Sequence, residues 1–130
     1  MDGVTVSSAG TSTLDGLPAS GHSVEVAERR GIDISGHHSR LLNASLVRSA
    51  DLIVTMGEKH QKTIGVIEPE ALAHTVLLTD FSPEHDGDVP DPIGGGLGTY
   101  DDVYNLISTC VSQMVADLGR FDGWRIGEEE

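Results

Sequence analysis

The sequence has 130 residues with 21 acidic against 8 basic side chains, a formal charge of −13, which fits one small acidic domain. Such a surface repels phosphate backbones and anionic lipid, and the scattered Lys and Arg form no basic patch to offset it, so nucleic acid and membranes are excluded as partners. Leu, Ile, Val and Phe make up about 26% of the residues, enough to form a core.

In chain order, Val4 to Ser8 alternates apolar and polar side chains and is expected as a short strand. The stretch from Thr11 to Gly21 is rich in Thr, Ser, Gly and Asp and contains Pro18, so it is expected as an ordered loop. Ser20 or His22 can start a helix that carries Val24, Val26 and Ala27, and Arg29, Arg30 and Gly31 form its stop. Asn43 caps a second, short helix with Leu46 and Val47 facing inward. The continuous apolar run from Asp51 to Met56 reads as a strand covered on both faces, which argues for a parallel sheet.

A third helix opens at Gly57–Glu58 and is stopped by Pro69, and His74 to Leu78 gives another apolar strand. From Phe81 to Gly98 the chain is rich in Asp, Pro and Gly, and no regular element fits. From Thr99 a long helix places Val103, Leu106, Ile107, Cys110, Met114 and Leu118 on one stripe. The order β-α-α-β-α-β-α predicts one α/β domain over residues 1–121, a parallel sheet with helices on both faces, followed by an acidic tail over 122–130.

Cys110 is the single cysteine, so no internal disulfide, multi-cysteine zinc site or paired redox centre is possible, which fits a reducing cytoplasm. No apolar run reaches the length of a membrane span, and the first residues are too polar for a signal peptide. Cys110 lies on an apolar stripe, where burial would raise its pKa and hide the sulfur. His85, Asp86, Asp88, Asp101 and Asp102 form an acidic group, but the glycine and terminal glutamate of an EF-hand loop are not at the required spacing. No metal and no cofactor are expected, since neither glycine-rich nucleotide motif is present.

The segment Asp88-Val89-Pro90-Asp91-Pro92-Ile93-Gly94-Gly95-Gly96 places an acid between two prolines and before three glycines. It follows the end of a strand, where open α/β sheets place ligands. By residue type alone Asp91 is either a solvated acid on a surface loop or a ligand-facing one. Ser7 and Ser8 after the first strand, with His37 and His38 after the first helix, could form a hydrogen-bonded network or simply terminate their elements. A Ser8–His37–Asp91 hydrolase triad is rejected, because Ser8 lacks a Gly-x-Ser-x-Gly elbow.

Four segments in order, Val6-Ser7-Ser8-Ala9-Gly10-Thr11, Gly31 to Arg40, Ala50 to Met56, and Gly87 to Gly95, resemble the low-molecular-weight protein tyrosine phosphatases. The Asp-Pro-x-Gly-Gly form is similar to the bacterial branch that includes protein arginine phosphatases, with Ile93 and Gly94 where tyrosine-directed members often carry aromatic residues. Arsenate reductases share the fold but need further redox cysteines. The resemblance implies a flavodoxin-like fold, a phosphoprotein substrate, and hydrolysis of a phosphate monoester through a phosphocysteine. It implies Asp91 as general acid, Ser8 and His37 as supports of the phosphate loop, and Thr11, Leu14 and Ile93 as pocket wall.

The family's nucleophile and phosphate clamp belong to a Cys-x5-Arg loop, and no such motif occurs in these 130 residues, since Cys110 is followed by Arg120. By resemblance, the family's first strand and helix have no counterpart here, Met1 reads as an internal methionine, and the chain is expected to be inactive as it stands. A non-catalytic binding or regulatory module on the same scaffold is the alternative reading.

Overall fold

The computed structural model describes residues 4–82 and 87–118. Helix α1 (Gly21–Glu28) begins where Ser20 Oγ accepts the Ser23 amide, and its apolar side, Val26 and Ala27, is buried. It ends at a glycine for a physical reason: Gly31 has φ +78°, a backbone state that a Cβ disfavours. Helix α2 (Ala44–Ser49) is capped by Asn43 Oδ1, which accepts the Leu46 amide at 2.9 Å. Both caps stand where the sequence places them, because a short oxygen-bearing side chain meets an orphan helix amide locally.

Strand β1 (Ile53–Thr55) pairs in parallel with strand β2 (Thr75–Leu77), with Ile53 opposite Thr75 and Thr55 opposite Leu77. Helix α3 (Glu58–Ile67) connects them together with a 3-10 turn over Pro69–His74. This parallel β-α-β arrangement is what the apolar runs predict, but each strand is shorter than its run. The ladder extends only as far as both strands have partners. After β2 the chain tightens into a 3-10 turn over Leu78–Phe81, which the sequence reading does not anticipate. Helix α4 (Leu97–Leu118) starts two residues before the expected Thr99.

The expected first strand does not form: Val4 to Ser8 carries no ladder, and the nearest pairing is a lone bridge between Gly10 and Leu41. Its alternating pattern suits a strand, yet a strand exists only when a neighbour takes its backbone groups. Among the described residues β1 pairs with β2 alone.

Val47, Ile64 and Ala71 form one core, with Leu42, Ile53 and Ile67 packed against it. The long helix buries Tyr100, Val103, Cys110 and Leu118, with Leu106, Ile107 and Met114 half-buried along the same stripe. It packs on α1 and on the turn after β2. Arg30 fixes the first of these contacts: its guanidinium donates to Val26 O, Asp101 Oδ1 and Asn105 Oδ1 and lies 4.4 Å above the Tyr104 ring. The tail over 122–130 and the positions His85, Asp86 and Arg120 lie outside the described residues.

Candidate active site

Asp91 follows the end of β1 in space through two neighbouring anchors. The Val89 amide donates to Met56 O at 2.7 Å, and the buried Thr79 hydroxyl donates to Gly87 O. Pro90 and Pro92 then fix φ on either side of Asp91. The Asp91 carboxylate is exposed, and its Oδ1 accepts the Ile93 amide at 3.0 Å. The loop borders a cavity of about 650 Å³ whose walls include Val26, Ile34, Met56, Tyr100, Val103 and Ile107. Asp91 is thus an acid at the mouth of an apolar cleft beyond the carboxyl end of a parallel strand.

A second cavity, about 530 Å³, is lined by Val6, Ser7, Ser8, Asp15, His37, His38, Ser39 and Arg40. The sequence reading names Ser8 and His37 but misses the groups that tie together the two segments around this cavity. Ser39 Oγ donates to Leu14 O and accepts the Leu17 amide, and Asp15 Oδ1 accepts the Leu41 amide at 2.7 Å. Gly10 donates to Arg40 O and accepts the Leu42 amide, so the loop over Gly10–Pro18 is laced to the segment over His37–Leu42. These are non-local partners, and no local pattern in either segment signals them.

The structure therefore brings Ser8 and His37 to one cavity and Asp91 to the other. Of the expected wall residues, Leu14 is 70% and Ile93 79% exposed, Thr11 is half-buried, and none of the three borders either cavity. Among the described residues no three His, Cys, Asp or Glu side chains converge in a way that could hold a metal ion. No helix among them is long and apolar enough to cross a membrane.

Cys110 is fully buried against the turn after β2. Burial pushes its thiol pKa up, and the hydrogen bond with Ser82 opposes that shift only in part. A neutral, enclosed sulfur is a poor nucleophile.

The family model "Low molecular weight phosphotyrosine protein phosphatase" matches residues 1–122. The chain belongs to this family. It is 36% identical over 115 residues to a low molecular weight protein-tyrosine-phosphatase of Acinetobacter johnsonii, covering 88% of this chain and 79% of that protein. The YwlE arginine phosphatase from Geobacillus stearothermophilus superposes with a TM-score of 0.84 at 30% identity, covering 92% of this chain and 77% of that one. Vibrio vulnificus Wzb, solved with benzylphosphonate, gives 0.80 at 31% identity, covering 87% and 79%.

The low molecular weight phosphatases thus supply both the tyrosine- and the arginine-named relatives, as the Asp-Pro-x-Gly-Gly form suggests. The flavodoxin-like α/β class read from the sequence holds as well. The relatives are named as tyrosine or arginine phosphatases.

Proposed function

We propose that this chain supplies the general acid of a low molecular weight protein phosphatase site and that Asp91 is that acid. Its place carries the reading: an exposed carboxylate at the mouth of a cleft, on a loop stiffened by two prolines and bonded to the end of β1. One carboxylate oxygen is engaged by the Ile93 amide. The other has no hydrogen bond among the described residues and can deliver a proton to the leaving atom, the oxygen of phosphotyrosine or the guanidino nitrogen of phosphoarginine, as its bond to phosphorus breaks. The same carboxylate then takes a proton from the water that attacks phosphorus in the second half of the reaction.

Ser8 and His37, which line the polar cavity, act as hydrogen-bonding support for a phosphate loop, whereas Thr11, Leu14 and Ile93 line neither cavity and take no part in this reading. The substrate class is a phosphoprotein bearing phosphotyrosine or phosphoarginine. A chain with one cysteine and no disulfide suits the cytoplasm.

The 130 residues by themselves are inert in this reading. A phosphate dianion needs a thiolate to attack it and a guanidinium to clamp it, and Cys110 is buried and not part of a Cys-x5-Arg loop. The purified chain should release phosphate from p-nitrophenyl phosphate, a phosphotyrosine peptide and a phosphoarginine peptide no faster than buffer. Release above buffer that Cys110→Ala or Asp91→Ala lowers would overturn the inertness. In a chain carrying a Cys-x5-Arg-Ser loop ahead of residue 1, Asp91→Ala should lower turnover by about 10²-fold or more. Unchanged turnover there would remove Asp91 from its role.

A further inference from the structure

Helix α3 begins after Gly57, which has no side chain with which to cap the first amides. The missing acceptor arrives from 30 residues downstream, where Asp88 Oδ1 takes the Glu58 amide at 2.9 Å. A carboxylate at a helix N-terminus makes a charge-assisted bond and also meets the positive end of the helix dipole. Gly57 is what allows this approach. Its φ of −158° suits any residue, but a Cβ there would stand 3.0 Å from both Cγ and Oδ2 of Asp88.

Asp88 is also the middle of three consecutive attachments. Gly87 O is held by Thr79, the Asp88 carboxylate by α3, and the Val89 amide by Met56 O. Two residues later comes Asp91, with Pro90 between Val89 and it to limit the swing of the chain. We propose that Asp88 is a positioning residue: its carboxylate, seated on the N-terminus of α3 in the space that Gly57 leaves open, docks the Asp91 loop at the end of β1. The functional meaning of this device rests on the reading of Asp91 as general acid. The docking itself does not.

The test is amide hydrogen exchange in the 130-residue chain, corrected for intrinsic rates, with Val24 and Val47 as reporters on α1 and α2. Asp88→Ala should speed exchange at Glu58, Val89 and Ile93 by about fivefold or more, as for loss of a helix cap, with the reporters unchanged. Gly57→Ala should do the same by pushing the carboxylate away without removing its charge. The double variant should exchange no faster at these sites than either single one, since both break one contact. Asp88→Asn keeps an acceptor oxygen and should retain most of the protection.

Faster exchange at Glu58 alone, with Val89 and Ile93 still protected, would reduce Asp88 to a helix cap and overturn the proposal. So would a uniform rise that includes the reporters. If Asp88→Ala does not fold, Gly57→Ala and Asp88→Asn decide in the same way. Exchange at these amides reads loop placement whatever chemistry Asp91 performs, so failure here is separate from failure of the turnover experiment.

Discussion

Cys110 shows how a residue's chemistry follows its packing. The apolar stripe on α4 foretells its burial, and the structure encloses it fully, so its thiol is held neutral. A neutral thiol favoured in the folded state contributes stability that is complete below the unfolded thiol's value, 9.0. That contribution is lost as pH rises above it. The melting temperature of the chain should therefore fall more steeply between pH 8 and pH 10.5 than that of Cys110→Ala, which has no thiol to titrate. Parallel slopes in thermal scans of the two proteins would contradict the assignment. Asp91 is the opposite case: its chain neighbours mark it as an acid on a stiff loop, while the place of that loop depends on the bond of Val89 to Met56, far away in sequence.

At the scale of elements, local signals and distant ones separate cleanly. Ser20, Asn43 and Gly31 act within three residues of the helix ends they control, so their roles are readable from composition. Asp88 caps α3 from 30 residues away, and Gly57 gives only the negative hint of a helix start without a capping side chain. Arg29 and Arg30 look equivalent in sequence, yet Arg29 pairs with Glu25 on its own helix in solvent, and Arg30 crosses to α4. Arg30→Ala should cost about 1–2 kcal/mol through its charge-assisted bonds and ring contact, and Arg29→Ala about 0.5 kcal/mol or less. Urea unfolding of both variants checks this, and equal losses would show that Arg30 does not tie the helices together.

For the whole molecule, the described residues give a two-stranded parallel sheet with an apolar cleft between α1, α4 and the Asp91 loop. Two strands alone make a marginal sheet, and Val6, Leu14, Val66 and Ile93 are large apolar side chains left exposed. The isolated chain should enhance the fluorescence of a dye such as ANS at neutral pH and unfold over a broad temperature range. Sharp cooperative melting without dye binding would count against this. Periodicity and turn residues were enough to indicate the parallel α/β class, and the four ordered motifs carried the resemblance to the family that the family match bears out, because those signals reside in short stretches of chain. Only the tertiary structure decided that Val4 to Ser8 forms no strand, that Ser8 and His37 share one cavity and Asp91 borders another, and that Asp88 reaches the N-terminus of α3. Each depends on which backbone donors and acceptors meet across long separations, and side-chain pattern along the chain does not encode those pairings.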